Sequence, residues 1–394
     1  MGVLISGAGI AGPTLAYWLA HYGIDSTIVE VAPKLRTGGY IIDFWGAGFD
    51  VADRMGLVPE LLSKGYILQE LKVVDPNGKQ VAGFPIKSFS RITHGRYMSI
   101  PRSELSASIY GKIQNRVETI FGDSITSLEQ DDKHVRATFE HACARDFDLV
   151  VGADGLHSRV RQLVFGPEGQ FEKYLGVKAA AFQSQGYTPR EELAYVMYTE
   201  VGKQVARFTM RDNTTLFFLT FADEDPAIPE GLQEQKTFLR KRFDSKSWEC
   251  PKIMDALSAT NDLYFDRVSQ IRMHPQSGLW SRGRTTLIGD AAFCVSLLAG
   301  QGSALAMVAA YILAGELRRS KGDFAAAFAR YQEIFGPFVE KKQKAALGFA
   351  GTFAPKSKFA IFLRNQIFNL LRIPVVADIA GGRGFTDKIR LPEY

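Results

Sequence analysis

The segment Gly7-Ala8-Gly9-Ile10-Ala11-Gly12 constrains this chain more than any other. Ahead of it, Val3, Leu4 and Ile5 form a short apolar run suited to a strand buried on both faces of a parallel sheet. Behind it, Leu15, Ala16, Trp18 and Leu19 read as a helix, and Gly23 is placed to end it. In such a strand–turn–helix the first glycine makes the tight turn. The second lets backbone approach a pyrophosphate, and the third lets helix and strand pack closely. The N–H groups and dipole at the helix start then face the phosphates. A second strand, from Ser26 to Val29, ends in Glu30, eighteen residues after Gly12 and at the position expected for a ribose-hydroxyl acceptor. The chain therefore begins as an α/β fold built around a dinucleotide.

At 394 residues and 46% hydrophobic, the chain has room for two domains or one large composite domain. A net charge of +5 is mild, and with no basic block nucleic acid is not an expected partner. Cys143, Cys250 and Cys294 are far apart and form no Cys-x-x-Cys pair, which argues against metal and disulfide-exchange chemistry and fits a reducing cytoplasm. Two uncharged stretches invite a membrane reading. From Gly2 to Ala20 there is no basic leader, and the glycine fingerprint explains the composition better. From Ala291 to Gly315 the chain is long enough to span a bilayer. Asp290 at its entrance and Gly300-Gln301-Gly302 within it point instead to a loop leading into a buried helix.

Along the rest of the chain, Arg36 to Tyr40 reads as a turn and Phe49 to Lys64 as a helix. Leu71 to Val74 and Gln80 to Ala82 flank Asp75-Pro76-Asn77-Gly78 as a hairpin. Pro101 opens a helix. Strands are expected from Val117 to Phe121, Ile125 to Glu129 and Val135 to Phe139. Another runs into Asp148-Leu149-Val150-Val151-Gly152-Ala153-Asp154-Gly155. From Tyr174 to Phe265 the pattern is mostly β, with strands from Tyr195 to Thr199, Gln204 to Met210 and Thr215 to Phe221, and an inserted helix from Gln233 to Phe243. A strand from Arg284 to Ile288 returns to the α/β part. Helices follow from Gly302 to about Arg318 and from Phe324 to Ala350. The tail from Lys356 to Leu371 sets Phe359, Leu363, Ile367 and Leu370 on one helical face among basic residues. It is read as a bridging or gating helix in preference to one lying on a membrane.

Three separated motifs stand out: Gly7-x-Gly9-x-x-Gly12 with Glu30; Asp154-Gly155 within Val151-Gly152-Ala153-Asp154-Gly155-x-x-Ser158-x-Val160-Arg161; and Gly289-Asp290-Ala291-Ala292 with Gly300-Gln301-Gly302. With Arg102 in Pro101-Arg102-Ser103-Glu104-Leu105, they resemble the single-component FAD-dependent aromatic hydroxylases, the class A flavoprotein monooxygenases, over about residues 1 to 335. Within that class the loop and the length are most similar to the tetracycline-inactivating monooxygenases. The resemblance implies a discontinuous Rossmann-like FAD-binding domain (1–70, 92–172 and 268–335), a β-sheet substrate domain (71–91 and 173–267) and a C-terminal helical segment (336–394). It implies that Gly7, Gly9, Ile10, Ala11, Gly12 and Glu30 hold the ADP half of FAD, with Arg36 near a phosphate and Arg102 at the flavin. Asp154 and Gly155 would support FAD and the use of NAD(P)H as co-substrate. Gly289 and Asp290 would meet the ribityl and pyrophosphate side, and Gly300, Gly302 and Ser303 the flavin ring. In the family a flavin C4a-hydroperoxide carries the oxygen transfer, so no catalytic side chain and no metal are assigned. The expected partners are O2 and an aromatic or polyketide-like small molecule, with no nucleic acid and no membrane; the sequence leaves the oligomeric state open, a monomer included. On the β-domain strands, Arg207, Phe208, Met210, Phe217 and Leu219 are candidates to face the substrate.

Three positions depart from the family pattern. Phe293 stands where His is usual, Leu297 where Pro is usual, and Ala304 where Asn is frequent. They leave open an FAD-containing reductase or cyclase that inserts no oxygen.

Overall fold

The structure is a computed structural model that describes residues 1–36, 40–86, 93, 95–274, 279–373, 376 and 389–394. Residues 37–39 of the predicted turn, and the domain boundary expected near 91–92, lie outside the described residues. A six-stranded sheet runs in the order Ser281–Arg282, Thr285–Leu287, Leu149–Gly152, Gly2–Ser6, Asp25–Glu30, Glu118–Phe121. All neighbours are parallel except the first pair. The register aligns Ser6 with Val29 and with Gly152, and Gly152 with Leu287. Gly7, Glu30, Ala153-Asp154 and Ile288-Gly289-Asp290, separated by up to about 280 residues of chain, therefore leave the sheet at one edge. That edge is the carboxyl end of the strands, where open α/β sheets bind ligands.

A seven-stranded sheet stands apart, in the order Leu263–Ile271, Glu172–Gln185, Thr214–Ala222, Lys203–Thr209, Ala194–Glu200, Glu70–Val74, Gln80–Pro85. The predicted hairpin joins this sheet through a parallel pairing of Glu70–Val74 with Ala194–Glu200. One face is covered by the helices Leu232–Arg242 and Cys250–Ala259, which close a core around Phe182, Val205, Phe217, Leu219 and Phe221. On the other face Phe208 packs with Trp45, Tyr66, Phe84 and Tyr97. Trp45 and Tyr97 come from the two-stranded ribbon Ile41–Trp45 and Tyr97–Pro101.

The helix Gly302–Arg319 is buried on nearly every side, as its almost uninterrupted apolar sequence requires. It packs against Ala11–His21, Ala47–Arg54 and Phe324–Phe353. Among the described residues no helix is long and apolar enough to cross a membrane.

Two expectations need correction. The helix expected from Phe49 to Lys64 is two helices, Ala47–Arg54 and Val58–Lys64. Gly56 between them takes φ +65°, a left-handed value that ends the first, and Pro59 sits in the first turn of the second. The tail forms the helix Lys358–Leu370, but its predicted apolar stripe faces outward. The inward face carries Arg364 and Phe368. Arg364 donates to Gln204 Oε1 at 3.0 Å and Thr199 Oγ1 at 3.0 Å, and Phe368 meets the Phe84 ring at 5.5 Å.

Candidate functional site

The glycine loop shows why each glycine is needed. Gly7 has φ +109°, and a Cβ there would sit 2.5 Å from the Ala153 carbonyl oxygen. A Cβ on Gly12 would lie 2.0 Å from the Gly7 oxygen, so helix and turn touch through backbone. A Cβ on Gly9 would meet only Arg102 Nη2, at 3.6 Å, which leaves this side of the backbone open to a ligand. The buried Glu30 carboxylate accepts from the Ala8 N–H at 2.7 Å and the Ala32 N–H at 3.0 Å, so it pins the loop as well as ending its strand. The helix Ala11–His21 begins at Ile10 with no capping side chain and no acid in its first turn. Its positive end is thus left for an outside anion.

The return segment closes on this loop. Gly289, at φ +63°, would place a Cβ 3.2 Å from the Ala11 Cβ and 3.6 Å from the Ala306 Cβ, so the early and late helices meet at it. Asp290 is half-buried. Burial pushes its carboxyl above the usual range, and the Arg102 guanidinium draws it part of the way back. A Cβ on Gly302 would lie 3.4 Å from Asp290 Oδ1. Gly300 (φ +65°) ends the short turn Leu297–Ala299, and Gly302 and Ser303 start a second helix that has neither cap nor acid in its first turn. Arg102 N–H donates to the Tyr40 carbonyl at 3.1 Å, which fixes where its side chain departs. Burial pushes the Tyr40 phenol up to about 12. Two uncapped helix starts, a loop only glycine can form and a half-buried carboxylate near an arginine fit a dinucleotide whose second half is a flavin.

The remaining predicted cofactor residues are placed differently. Asp154 braces the start of the helix Arg159–Val164, whose capping residue is Ser158. It accepts from Ser158 Oγ at 2.5 Å, the Val160 N–H at 3.0 Å and Ser6 Oγ at 3.4 Å. Burial again pushes its carboxyl up. Gly155 supplies φ +80° in the turn that follows. Arg36 is largely exposed, 3.8 Å from Glu30, in a loose pair.

Of the five residues expected to face a substrate, the structure brings only Phe208 and Met210 to the sheet face turned toward the ribbon. Strand alternation puts Arg207, Phe217 and Leu219 on the other face. Phe217 and Leu219 fill the core beneath the two helices, and Arg207 donates to Glu249 and Glu191, each at 3.0 Å. Sequence reasoning missed Asp43. Its carboxylate accepts from Tyr97 Oη at 2.8 Å and Ser99 Oγ at 2.6 Å across the ribbon. With Trp45, Gly48, Gly300, Gln301 and Phe338 it lines a cleft. The signal was an acid between Ile42 and Phe44 in an otherwise apolar strand.

Two of the three departures, Phe293 and Ala304, are tightly packed, and the third opens a turn. Phe293 is buried against Trp280 and Phe335, with ring centroids 4.9 and 5.3 Å apart. Leu297 opens a turn whose cap, Ser296, stands at φ +136° and accepts from the Leu298 N–H at 3.2 Å. Ala304 faces Gly48 so closely that a Cβ on Gly48 would come within 2.4 Å of the Ala304 Cα.

A mostly parallel sheet with this cradle at its carboxyl edge, crowned by a separate antiparallel-rich sheet, defines an FAD-binding flavoprotein. A family model described as an FAD binding domain matches residues 1–320. A flavin-dependent monooxygenase from an unknown prokaryotic organism is 34% identical over 100% of this chain and 98% of its own length. An uncharacterized protein of Mycobacterium tuberculosis is 39% identical over 86% of this chain and 91% of that protein. The solved structure of tetracycline destructase Tet(55) matches at 32% identity and a TM-score of 0.82, covering 100% of this chain and 98% of that one. The chain belongs to the FAD-dependent monooxygenase family. The reductase or cyclase alternative is set aside.

Proposed function

We propose that this enzyme hydroxylates a bulky aromatic or polyketide-like small molecule, tetracycline-type compounds included, at the expense of NAD(P)H and O2. One oxygen atom enters the product and the other leaves as water. The observation that carries this reading is the convergence of the glycine loop, Arg102, Asp290 and the Gly300–Ser303 turn at one sheet edge, beneath a second sheet whose facing side is aromatic. Its supports are the family membership and the likeness to tetracycline destructase Tet(55). Residues 71–91 and 173–267 are read as the substrate domain, and the rest up to residue 335 as the FAD domain.

When bound, FAD supplies the redox chemistry, from reduction by NAD(P)H to oxygen transfer. Gly7, Gly9, Gly12 and the uncapped start at Ile10 and Ala11 take the pyrophosphate, and Glu30 takes the ADP ribose. Arg102 and Asp290 hold the middle of the cofactor. Asp154 and Gly155 would shape the turn that supports it, and Gly289 lets the return segment pass close to the first helix. The uncapped helix start at Gly302 and Ser303 would favour negative charge on a bound flavin, by about 0.3–1 kcal/mol if exposed and ~2 kcal/mol if partly buried. Asp43 accepts a hydrogen bond from a substrate hydroxyl, and Trp45, Tyr97 and Phe208 keep water out.

The test is a panel of phenols and polyketides, read for NADH or NADPH consumption and product mass together. Consumption that depends on substrate, with a mass gain of one oxygen atom, supports the reading. No substrate-dependent consumption across the panel overturns it.

A further inference from the structure

We infer that the helix Lys358–Leu370 is a docking face for the surface of an anionic lipid bilayer. Phe359, Phe362, Leu363, Ile367, Leu370 and Ile373 recur three or four positions apart and form one stripe. All six are exposed, from 48% to 71%. This is the reverse of what burial of apolar surface dictates for a surface helix, whose apolar stripe turns inward. Here the inward positions belong to Arg364, which is buried and bonded to Gln204 and Thr199, and to Phe368 against Phe84. Arg372 adds a bond from Nε to the Gly83 carbonyl at 2.9 Å. The helix is thus held on the seven-stranded sheet by Arg364, Phe368 and Arg372, with a second, apolar side left exposed.

Charge decides what covers it. From Lys341 to Ile373 the chain holds seven Lys or Arg and no Asp or Glu. Lys356, Lys358 and Arg372, at the ends of the stripe, are exposed. An apolar stripe flanked only by cations is the pattern of an interfacial helix on anionic lipid. A second copy of this chain fits less well, because pairing the two faces would bring two all-cationic segments together. A thirteen-residue helix is about 20 Å long and offers a single face, where a stable interface takes ~800 Å² from each partner. A helix lying in the plane of the interface buries its apolar face among the headgroups without crossing, in keeping with the lack of any membrane-crossing helix among the described residues.

The experiment uses the FAD-loaded full-length protein, sedimented with vesicles of phosphatidylglycerol and phosphatidylcholine, or of phosphatidylcholine alone. At low salt, at least tenfold more protein is expected to pellet with the anionic vesicles. The double variant Phe362→Ser, Leu363→Ser should lose that binding tenfold or more while its flavin absorbance and circular dichroism stay unchanged. Lys356→Glu with Lys358→Glu should weaken it as well. Failure to pellet with either vesicle overturns the inference. So does equal pelleting with both, or a wild-type dimer in solution that the serine variant converts to a monomer.

Discussion

Two glycines three residues apart do different work, and substitution separates them. At Gly12 an added methyl meets the Gly7 carbonyl oxygen at 2.0 Å, backbone against backbone, and nothing flexible can yield. Gly12→Ala is therefore expected to destabilise the protein with or without flavin, by the 1–3 kcal/mol or so typical of overpacking, seen as a lower Tm of apoprotein and holoprotein alike. At Gly9 the same methyl meets only the end of Arg102 at 3.6 Å. Gly9→Ala should leave the apoprotein Tm near wild type and weaken FAD by about tenfold, ~1.4 kcal/mol, in a fluorescence titration. An unchanged flavin affinity would mean that the pyrophosphate does not approach this backbone. The sequence made the glycines legible because their spacing encodes a backbone requirement. It did not reveal Asp43, whose importance lies in the cross-strand partners Tyr97 and Ser99, more than fifty residues away.

Elements with a local signature were readable and those specified by partners were not. The first strand, the fingerprint helix and the long apolar helix after Gly302 all fall within a few residues of expectation, since glycine turns and apolar runs mark them. The helix Cys250–Ala259 and the ribbon Ile41–Trp45 with Tyr97–Pro101 escaped, because the first follows an irregular loop and the second pairs across a long separation. Arg207, Phe217 and Leu219 were placed on strands correctly, but which face turns inward depends on the two covering helices, and no strand encodes that alone. The crossing of Ala47–Arg54 over Gly302–Arg319 makes the same point, since its closeness rests on Gly48 against Ala304. Gly48→Ala must push these helices apart, and a loss of about 1–3 kcal/mol in a denaturant titration is expected. Because Gly48, Gly300 and Gln301 share the cleft, the variant should also retain less FAD per chain after purification, read from its flavin-to-protein absorbance ratio.

At the scale of the whole molecule, the two sheets are tied by charge as well as by apolar contact. His157, just beyond the Asp154-Gly155 turn of the first sheet, reaches Glu168 with Nδ1 at 3.0 Å and Asp266 of the second sheet with Nε2 at 2.9 Å. Glu168 also meets Arg161 at 3.0 Å and Arg267 at 2.7 Å, and Arg267 meets Glu172 at 2.5 Å. The hydrogen bonds to Asp266 and then Glu168 push the His157 imidazolium up from 6.5 to about 10. A pKa raised by folding means that the folded state holds the proton more tightly than the unfolded chain. The stabilisation is then complete below about pH 6.5, shrinks above it, and is gone once the pH has risen through about 10. His157 is half-exposed, so solvent screening keeps the gain near 1 kcal/mol or less. His157→Gln retains a hydrogen-bonding side chain without the charge. The difference in Tm between wild type and this variant should be largest at pH 6, narrow steadily through pH 8 and 9, and vanish near pH 10.5. Taking the difference cancels the titration of lysines and tyrosines common to both proteins. A difference that stays flat across that range would show that the imidazole bridges the sheets as a neutral spacer, and that the charged link between them is made by Glu168 with Arg161 and Arg267.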